Sequence, residues 1–279
     1  MQTVRTNGIT THYERRGEGR PVVFIHGSIV DRSMWAAQLD ALADDYTVVS
    51  YDLRGHGHTG GSAVDRYTIE LFADDLAALV DALGLDRPVL CGLSMGGLIA
   101  QLYAARHPDR VSGLVLADTF TPPILSRGEW LLRRVVLPFF TYPVRLVGYE
   151  RVEKVNVWVT ERLVAGAGGD YETIEALRED APVMSTSEFT KVMRAMARFH
   201  EESVDRSQLT MPVLVLYGEN ELPFVKRHAA ALAAALPDVE VEEVPGGGHA
   251  SNLDNPAFFT DALREFLARV YPATAEPTS

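Results

Sequence analysis

The feature that most constrains this chain is a glycine-rich hexapeptide, Gly-Leu-Ser-Met-Gly-Gly, at residues 92–97. A short apolar run, residues 88–91, precedes it, and a segment of helical composition, residues 98–107, follows it. The spacing Gly-x-Ser-x-Gly between a strand and a helix is typical of a sharp turn that lifts one hydroxyl clear of a sheet. Glycines are needed there because side chains would collide with the neighbouring strands. The sequence therefore predicts that Ser94 is a nucleophile, beside the unpaired amides of a helix start.

Apolar runs of strand length alternate with segments of helical spacing along most of the chain. Such runs are typical of strands buried on both faces, and the alternation indicates parallel pairing with helices on both sides. Near the amino terminus, Asn7-Gly8 predicts a turn between two antiparallel edge strands. We predict an α/β fold with a mostly parallel eight-stranded sheet flanked by helices. The other six predicted strands cover residues 21–26, 46–51, 88–91, 111–117, 211–217 and 239–244.

The alternation of strands and helices stops in the middle of the chain. Between Thr119 and Leu209 no core strand is evident, and prolines separate stretches of helical spacing. This pattern predicts a helical insertion within one α/β core. The predicted division is residues 1–118 for the first part of the core, 119–209 for the insertion, 210–271 for the second part of the core, and 272–279 for a disordered tail.

A serine hydroxyl is a weak nucleophile and needs a base, and that base needs an orienting carboxylate. His249 is the best candidate base, because a predicted strand and three glycines place it on a loop at the carboxyl edge of the sheet. In folds of this type the acid lies between the serine and the histidine in chain order. Glu221 is the favoured acid, Asp118 is the alternative, and Glu219 is a weaker third candidate.

A reaction at a carbonyl also requires two donors for the oxyanion that forms. We predict the backbone amides of Met95, which follows the nucleophile, and of Ser28, in the loop after the 21–26 strand. His26 is expected to hold that loop by hydrogen bonds. Apolar side chains of the insertion could shape a substrate pocket. The candidate pocket residues are His26, Phe120, Trp130, Phe140, Trp158, Met196 and Leu222.

The charge of the chain argues against two classes of partner. The formal net charge is −12 over 279 residues, and such a protein repels nucleic-acid phosphates and anionic lipid surfaces. The single cysteine, Cys91, allows no intramolecular disulfide and fits a reducing cytosol. No stretch has the length of a membrane span, and the first residues lack the apolar core of a signal peptide. We therefore expect a cytoplasmic protein that binds no nucleic acid and no membrane.

Two apparent cofactor motifs lie in one glycine-rich loop. Residues 55–60 match Gly-x-Gly-x-x-Gly, but no helix follows directly, which argues against dinucleotide binding. His56 and His58 have no identifiable third ligand, which argues against a metal site. We expect no metal and no organic cofactor.

Taken together, these motifs resemble those of the α/β-hydrolase family. The resemblance covers nearly the whole chain, and Gly-Leu-Ser-Met-Gly-Gly is similar to the subgroup of esterases, enol-lactonases, acyl-homoserine-lactone lactonases and cofactor-free haloperoxidase-like proteins. The matching features are His26-Gly27, Trp35, residues 52–57, residues 92–97, and Gly248-His249 with Pro256 after it. Family members with dehalogenase or epoxide hydrolase activity place an aspartate at the position of Ser94, so the serine argues against those reactions.

The resemblance implies a serine hydrolase that cleaves a carboxylic ester or lactone through an acyl-enzyme, with a small-molecule substrate and no cofactor. It also implies that the 119–209 insertion is a helical cap. The family acid is usually an aspartate where this chain has Glu221, a departure that leaves Asp118 open. The alternatives are carbon–carbon bond hydrolysis, perhydrolysis or a lyase step on the same scaffold, or a non-catalytic ligand receptor. We expect a monomer or a homodimer.

Overall fold

Eight strands form the central sheet of the protein, in a computed structural model that describes residues 1–136, 139, 144, 146–167, 169, 171–179, 182 and 184–272. The strands are β1 (Gln2–Thr6), β2 (Ile9–Arg16), β3 (Pro21–Ile25), β4 (Thr47–Tyr51), β5 (Val89–Leu93), β6 (Gly113–Ala117), β7 (Val213–Gly218) and β8 (Val239–Val244). Their order across the sheet is β1-β2-β4-β3-β5-β6-β7-β8. The β1–β2 and β2–β4 pairs are antiparallel and the others are parallel, which confirms the predicted fold class.

Helices cover both faces of this sheet. The described helices are α1 (Ala36–Leu42), α2 (Ile69–Ala82), α3 (Met95–Arg106), α4 (Arg127–Leu131), α5 (Tyr149–Leu163), α6 (Tyr171–Glu179), α7 (Thr186–Ala197), α8 (Pro223–Ala235), α9 (Ser251–Asp254) and α10 (Pro256–Val270). After α4 the chain continues directly into a π-helical turn, Leu132–Val136. None of the helices within the described residues is long and apolar enough to cross a membrane.

Burial of the four central strands explains their composition. Every residue of β3, β4, β5 and β6 is buried, because α2, α3 and α8 pack on one face of the sheet and α1 and α10 on the other. A strand with helices on both faces has no solvent-facing side, so it reads as a continuous apolar run. Cys91 lies in β5, and burial raises the pKa of its thiol well above the ordinary value.

The glycine-rich loop after β4 is fixed by carboxylates. Asp52 accepts hydrogen bonds from the amide of Arg32 at 3.1 Å, from its guanidinium at 2.6 Å and from the amide of His58 at 2.9 Å. Arg54 donates to both oxygens of Asp75 on α2, at 2.6 and 2.8 Å, and both side chains are buried. These contacts make residues 52–60 a rigid loop that lies beside the carboxyl end of the sheet.

All secondary structure described between β6 and β7 is helical. The end of this insertion is attached to the core through polar contacts of α7, where the Tyr67 hydroxyl donates to Glu188 and the Lys191 ammonium donates to the Ser62 carbonyl at 3.0 Å. The division into core and cap at residues 118 and 209 stays a prediction. Residues 273–279 of the predicted tail lie outside the described residues.

The tight passage from β5 to α3 gives a stability prediction. A Cβ on Gly92 would lie 2.3 Å from the Gly96 carbonyl oxygen, whereas one on Gly128, in α4, would meet nothing within 4 Å. We expect Gly92→Ala to lower the free energy of unfolding by ~3 kcal/mol, the upper end of overpacking costs. The control Gly128→Ala is expected to stay within ~1 kcal/mol of wild type or to gain stability, because alanine favours helix. Urea titration measures both, and an unchanged midpoint for Gly92→Ala would contradict the packing.

Candidate active site

Ser94 occupies the turn between β5 and α3 in a strained conformation. Its backbone φ is +52°, a region that non-glycine residues rarely adopt and that is found preferentially at functional sites. The turn is held from outside, because the Ser94 amide donates to Ala117 O at 2.9 Å and the Thr119 hydroxyl donates to Ser94 O at 2.7 Å. Gly96 is required because a Cβ there would lie 2.0 Å from Ile25 O. The neighbouring backbone thus fixes the position of the Ser94 hydroxyl.

A continuous hydrogen-bonded chain joins Ser94, His249 and Glu221. The Ser94 Oγ lies 3.0 Å from His249 Nε2, and His249 Nδ1 lies 2.6 Å from Glu221 Oε2. The other carboxylate oxygen of Glu221 accepts the amide of Leu222 at 2.6 Å, and Glu221 is buried. A carboxylate beside Nδ1 keeps the proton on that nitrogen, which leaves Nε2 free to accept the proton of the serine hydroxyl.

The charges around His249 favour its protonated form. Removal from water lowers the pKa of the imidazole, but the negative charge and hydrogen bond of Glu221 more than offset this effect. The charges of Asp118 and Asp254 act in the same direction, and together they raise the pKa of His249 to about 9. The side chain is 42% exposed, so it is accessible from outside. The surroundings therefore stabilise the protonated, imidazolium form of His249.

The two alternative acids have other partners. Asp118 is fully buried and accepts hydrogen bonds from the Gly218 amide at 2.9 Å and from the Ser251 amide and hydroxyl at 3.1 and 2.6 Å. The Glu219 side chain accepts the Gly246 amide at 2.8 Å on the surface. Among the carboxylates predicted from the sequence, the structure pairs Glu221 with the imidazole.

Close backbone contact brings the loops of the acid and the histidine together. A Cβ on Gly218, at the end of β7, would lie 2.3 Å from Gly248 O and 2.4 Å from Gly247 O. The amide of Asn220 also donates to Gly247 O at 2.7 Å. The glycines before His249 therefore let its loop approach the loop of Glu221, and the amide of His249 itself donates to Ala167 O of the insertion at 3.4 Å.

The loop after β3 lies directly beside the serine. A Cβ on Gly27 would be 3.6 Å from the Ser94 Cβ, so the loop that continues into Ser28 packs against the turn that carries Ser94. Ile29 follows with φ +60°, a strained value for a β-branched residue. Met95 is the first residue of α3, so its amide has no acceptor within the helix. The amides of Ser28 and Met95 therefore belong to the two segments that meet at Ser94, and their role as oxyanion donors stays a prediction.

His26 acts within this loop as we predicted for its hydrogen bonds, but it lines no open surface. Its ring is fully buried, Nδ1 donates to Gly27 O at 2.7 Å, and Nε2 accepts the Leu53 amide at 3.0 Å. Burial lowers the pKa of His26 to about 4, so the ring is neutral. Its inclusion among the pocket residues is corrected, because both nitrogens bind backbone and none of the ring is accessible.

The remaining pocket candidates separate by burial. Phe120 and Met196 are buried, and Leu222 is half-buried next to Glu221. Trp130 and Trp158 are 51% and 58% exposed, so as placed they present their rings largely to solvent. Phe140 lies outside the described residues.

A buried polar cluster beside Phe120 was not anticipated from the sequence. Glu129 accepts hydrogen bonds at 2.9 Å from Arg133 and from His228, and the His228 Nδ1 accepts the Thr121 amide at 3.1 Å. The Arg133 guanidinium lies 4.7 Å from the centre of the Phe120 ring. Only the i, i+4 spacing of Glu129 and Arg133 could have signalled it, and that spacing usually marks an exposed helical pair.

No metal site is evident in the part of the chain that the structure describes. There, no three His, Cys, Asp or Glu side chains are grouped so that they could hold an ion. His56, one of the two histidines considered above, bonds the Arg54 carbonyl at 3.0 Å through Nδ1.

Several known proteins are similar to this chain in sequence or in fold. An esterase from Thermogutta terrifontis has 30% sequence identity and a TM-score of 0.80, covering 97% of this chain and 100% of its own. The enol-lactonase from Burkholderia xenovorans LB400 has 28% identity and a TM-score of 0.78, covering 96% of this chain and 100% of its own. A putative carbamate hydrolase of Rhizobium rhizogenes is 28% identical over 274 residues, 92% of this chain and 97% of its own.

A family model describes the common core of these proteins. The model of the alpha/beta hydrolase fold matches residues 20–256, which is most of the chain and includes the serine, the histidine and the acid of the hydrogen-bonded chain. By its sequence, its sheet order and this match, the protein belongs to the α/β-hydrolase fold family.

Proposed function

We propose that the protein is a serine hydrolase that cleaves a carboxylic ester or a lactone through an acyl-enzyme intermediate. The observation that carries this proposal is the continuous chain from the Ser94 hydroxyl through the His249 imidazole to the Glu221 carboxylate. A hydroxyl, an imidazole and a carboxylate in this order are the groups that acyl transfer to serine requires. The similarity to an esterase and to an enol-lactonase gives the substrate class further support.

In the first half of the reaction, the Ser94 oxygen attacks the carbonyl carbon while its proton passes to His249 Nε2. Glu221 stabilises the imidazolium through the 2.6 Å contact with Nδ1. The imidazolium then donates its proton to the alcohol oxygen as the carbon–oxygen bond breaks, which leaves the acyl group on Ser94. With a lactone, the released hydroxyl stays attached to the acyl chain.

The amides of Ser28 and Met95 are proposed to bind the oxyanion of the tetrahedral intermediate. They approach from two segments, and the start of α3 adds the positive end of a helix dipole. In the second half, His249 takes a proton from water, the hydroxide attacks the acyl carbon, and the acid leaves as Ser94 is reprotonated. The alcohol thus leaves with the proton of Ser94, and water supplies both the hydroxide and the proton that returns to Ser94, each proton passing through His249.

Apolar side chains near the serine are proposed to receive the acyl part of the substrate. We retain Phe120, Met196 and Leu222 for this role and leave out the two exposed tryptophans. Phe224, which is half-buried, lies 6.1 Å from Phe120 between ring centres and extends this apolar wall. An aromatic wall of this kind binds apolar acyl groups better than charged ones.

Replacement of the serine tests the proposal directly. Ser94→Ala should lower kcat/KM by ~10³–10⁶-fold and abolish labelling by a fluorophosphonate probe, because no acyl-enzyme can form. Substrates are p-nitrophenyl esters from acetate to octanoate, a lactone series and a carbamate. The control is Ser112→Ala, just before β6 at the opposite edge of the sheet, which should be labelled like wild type. Retained labelling in Ser94→Ala would exclude Ser94 as the nucleophile.

Replacement of the acid tests the role of Glu221 through the pH profile. His249 acts as a base only when neutral, so kcat/KM should rise with pH through a midpoint between 6.5 and about 9. Glu221→Gln removes the charge that raises the pKa of His249, so the midpoint should move to lower pH while kcat falls ~10³-fold.

The matched control is Glu219→Gln, two residues earlier on the same loop, where the side chain accepts the surface amide of Gly246. It should leave both kcat and the midpoint unchanged. If Glu219→Gln and Glu221→Gln gave equal profiles, Glu221 would not be the acid.

A further inference from the structure

One short segment touches the loops of all three groups of the proposed triad. Residues 117–119 comprise the last residue of β6 and the two residues after it. Ala117 O accepts the Ser94 amide, and the Thr119 hydroxyl donates to Ser94 O. Between them, the Asp118 carboxylate binds Gly218, three residues before Glu221, and Ser251, two residues after His249. The backbone of this segment and the Thr119 hydroxyl thus hold Ser94. The Asp118 carboxylate holds the loops of Glu221 and His249.

We propose that Asp118 is a positioning residue, which sets the distance between His249 and Glu221 by binding both of their loops and keeps a second negative charge beside the imidazole. This inference rests on the proposed serine hydrolase function. The contacts suit an ionised carboxylate, because the amide of Gly218 and the amide and hydroxyl of Ser251 can all donate to it. Three donors around one buried carboxyl group stabilise its charge.

Each residue that binds Asp118 is connected to a residue of the proposed triad through a short stretch of backbone. Gly218 O in turn accepts the Glu221 amide at 3.0 Å, so moving Gly218 moves the acid. Ser251 is the first residue of α9, and its main chain is separated from His249 by a single residue. Asp118 has φ +45°, a conformation that aspartate and asparagine tolerate better than most residues. A displacement of about 1 Å between reacting groups can cost ~10²-fold in rate.

The charge of Asp118 adds a pH-dependent effect. The charged groups that face the imidazole are Glu221, Asp118 and Asp254, and all three raise the pKa of His249. Burial and the nearby charge of Glu221 raise the pKa of Asp118 well above the ordinary value, and His249 opposes this. As the pH falls through the pKa of Asp118, the carboxyl becomes neutral, and the imidazolium loses one of its stabilising charges.

Asp118→Asn tests the proposal, because asparagine keeps the shape and the tolerated backbone but removes the charge and one acceptor. The first readout is the downfield proton NMR signal of His249 Nδ1–H, which needs no substrate. Its titration midpoint should fall by ~1 pH unit or more relative to wild type. The second readout is hydrolysis, where kcat should fall ~10–100-fold with KM within ~3-fold, because substrate contacts are intact.

Two further variants separate geometry, charge and folding. Ser251→Ala removes one donor and leaves the charge, so kcat should fall while the His249 midpoint stays within ~0.3 unit of wild type. Asp75→Asn is the matched control. It removes the charge of another buried carboxylate, which lies on α2 and binds Arg54. It should lower stability but leave the His249 titration and kcat at fixed folded fraction unchanged.

Wild-type values of both the midpoint and kcat in folded Asp118→Asn would overturn the proposal. If Asp118→Asn does not fold, an unchanged kcat in Ser251→Ala overturns it instead. Failure of the proposed function has a different signature: wild type would hydrolyse no ester, lactone or carbamate, while the His249 titration would still shift in Asp118→Asn.

Discussion

Close backbone packing around Ser94 is the constraint on which the rest of the structure depends. The start of α3 lies against the end of β3, where a Cβ on Gly96 would be 2.0 Å from Ile25 O. This close packing restricts the backbone conformation between β5 and α3. Ser94 consequently adopts a strained, positive φ. Because the hydroxyl cannot move to its partners, the loops that follow β6, β7 and β8 have to bring the partners to it.

Those loops solve an electrostatic problem at the same time. Glu221 and Asp118 are two buried carboxylates close to one another, an arrangement that would be unfavourable if both were charged and unsatisfied. Glu221 is bound by the imidazole and the Leu222 amide, and Asp118 by three donors of the chain. Two backbone amides and a hydroxyl thus stabilise the Asp118 carboxylate, and His249 stabilises the Glu221 carboxylate. The site is strongly polarised without exposing either acid to water.

The sequence predicted the sheet and the neighbourhood of the site because both follow from local patterns. Apolar runs between glycines mark buried strands, and the carboxyl ends of parallel strands meet at one edge, which brings Ser94 and His249 together. The sequence favours Glu221 as the acid but leaves Asp118 open, because both follow neighbouring parallel strands and only loop conformation decides which carboxylate reaches the imidazole. Helical spacing likewise predicts an apolar face but not what covers it, so the exposure of the Trp130 and Trp158 rings could not be predicted from the sequence.

The place where the insertion joins the sheet has a consequence for how such a chain can change. The insertion leaves after β6 and returns before β7, and these two strands are paired directly, with Leu114 opposite Val213. Their register is therefore set by each other, and lengthening the connection between them adds only a slowly growing entropic cost. The insertion can therefore change in length and sequence during evolution while the paired strands β6 and β7 keep their register in the sheet.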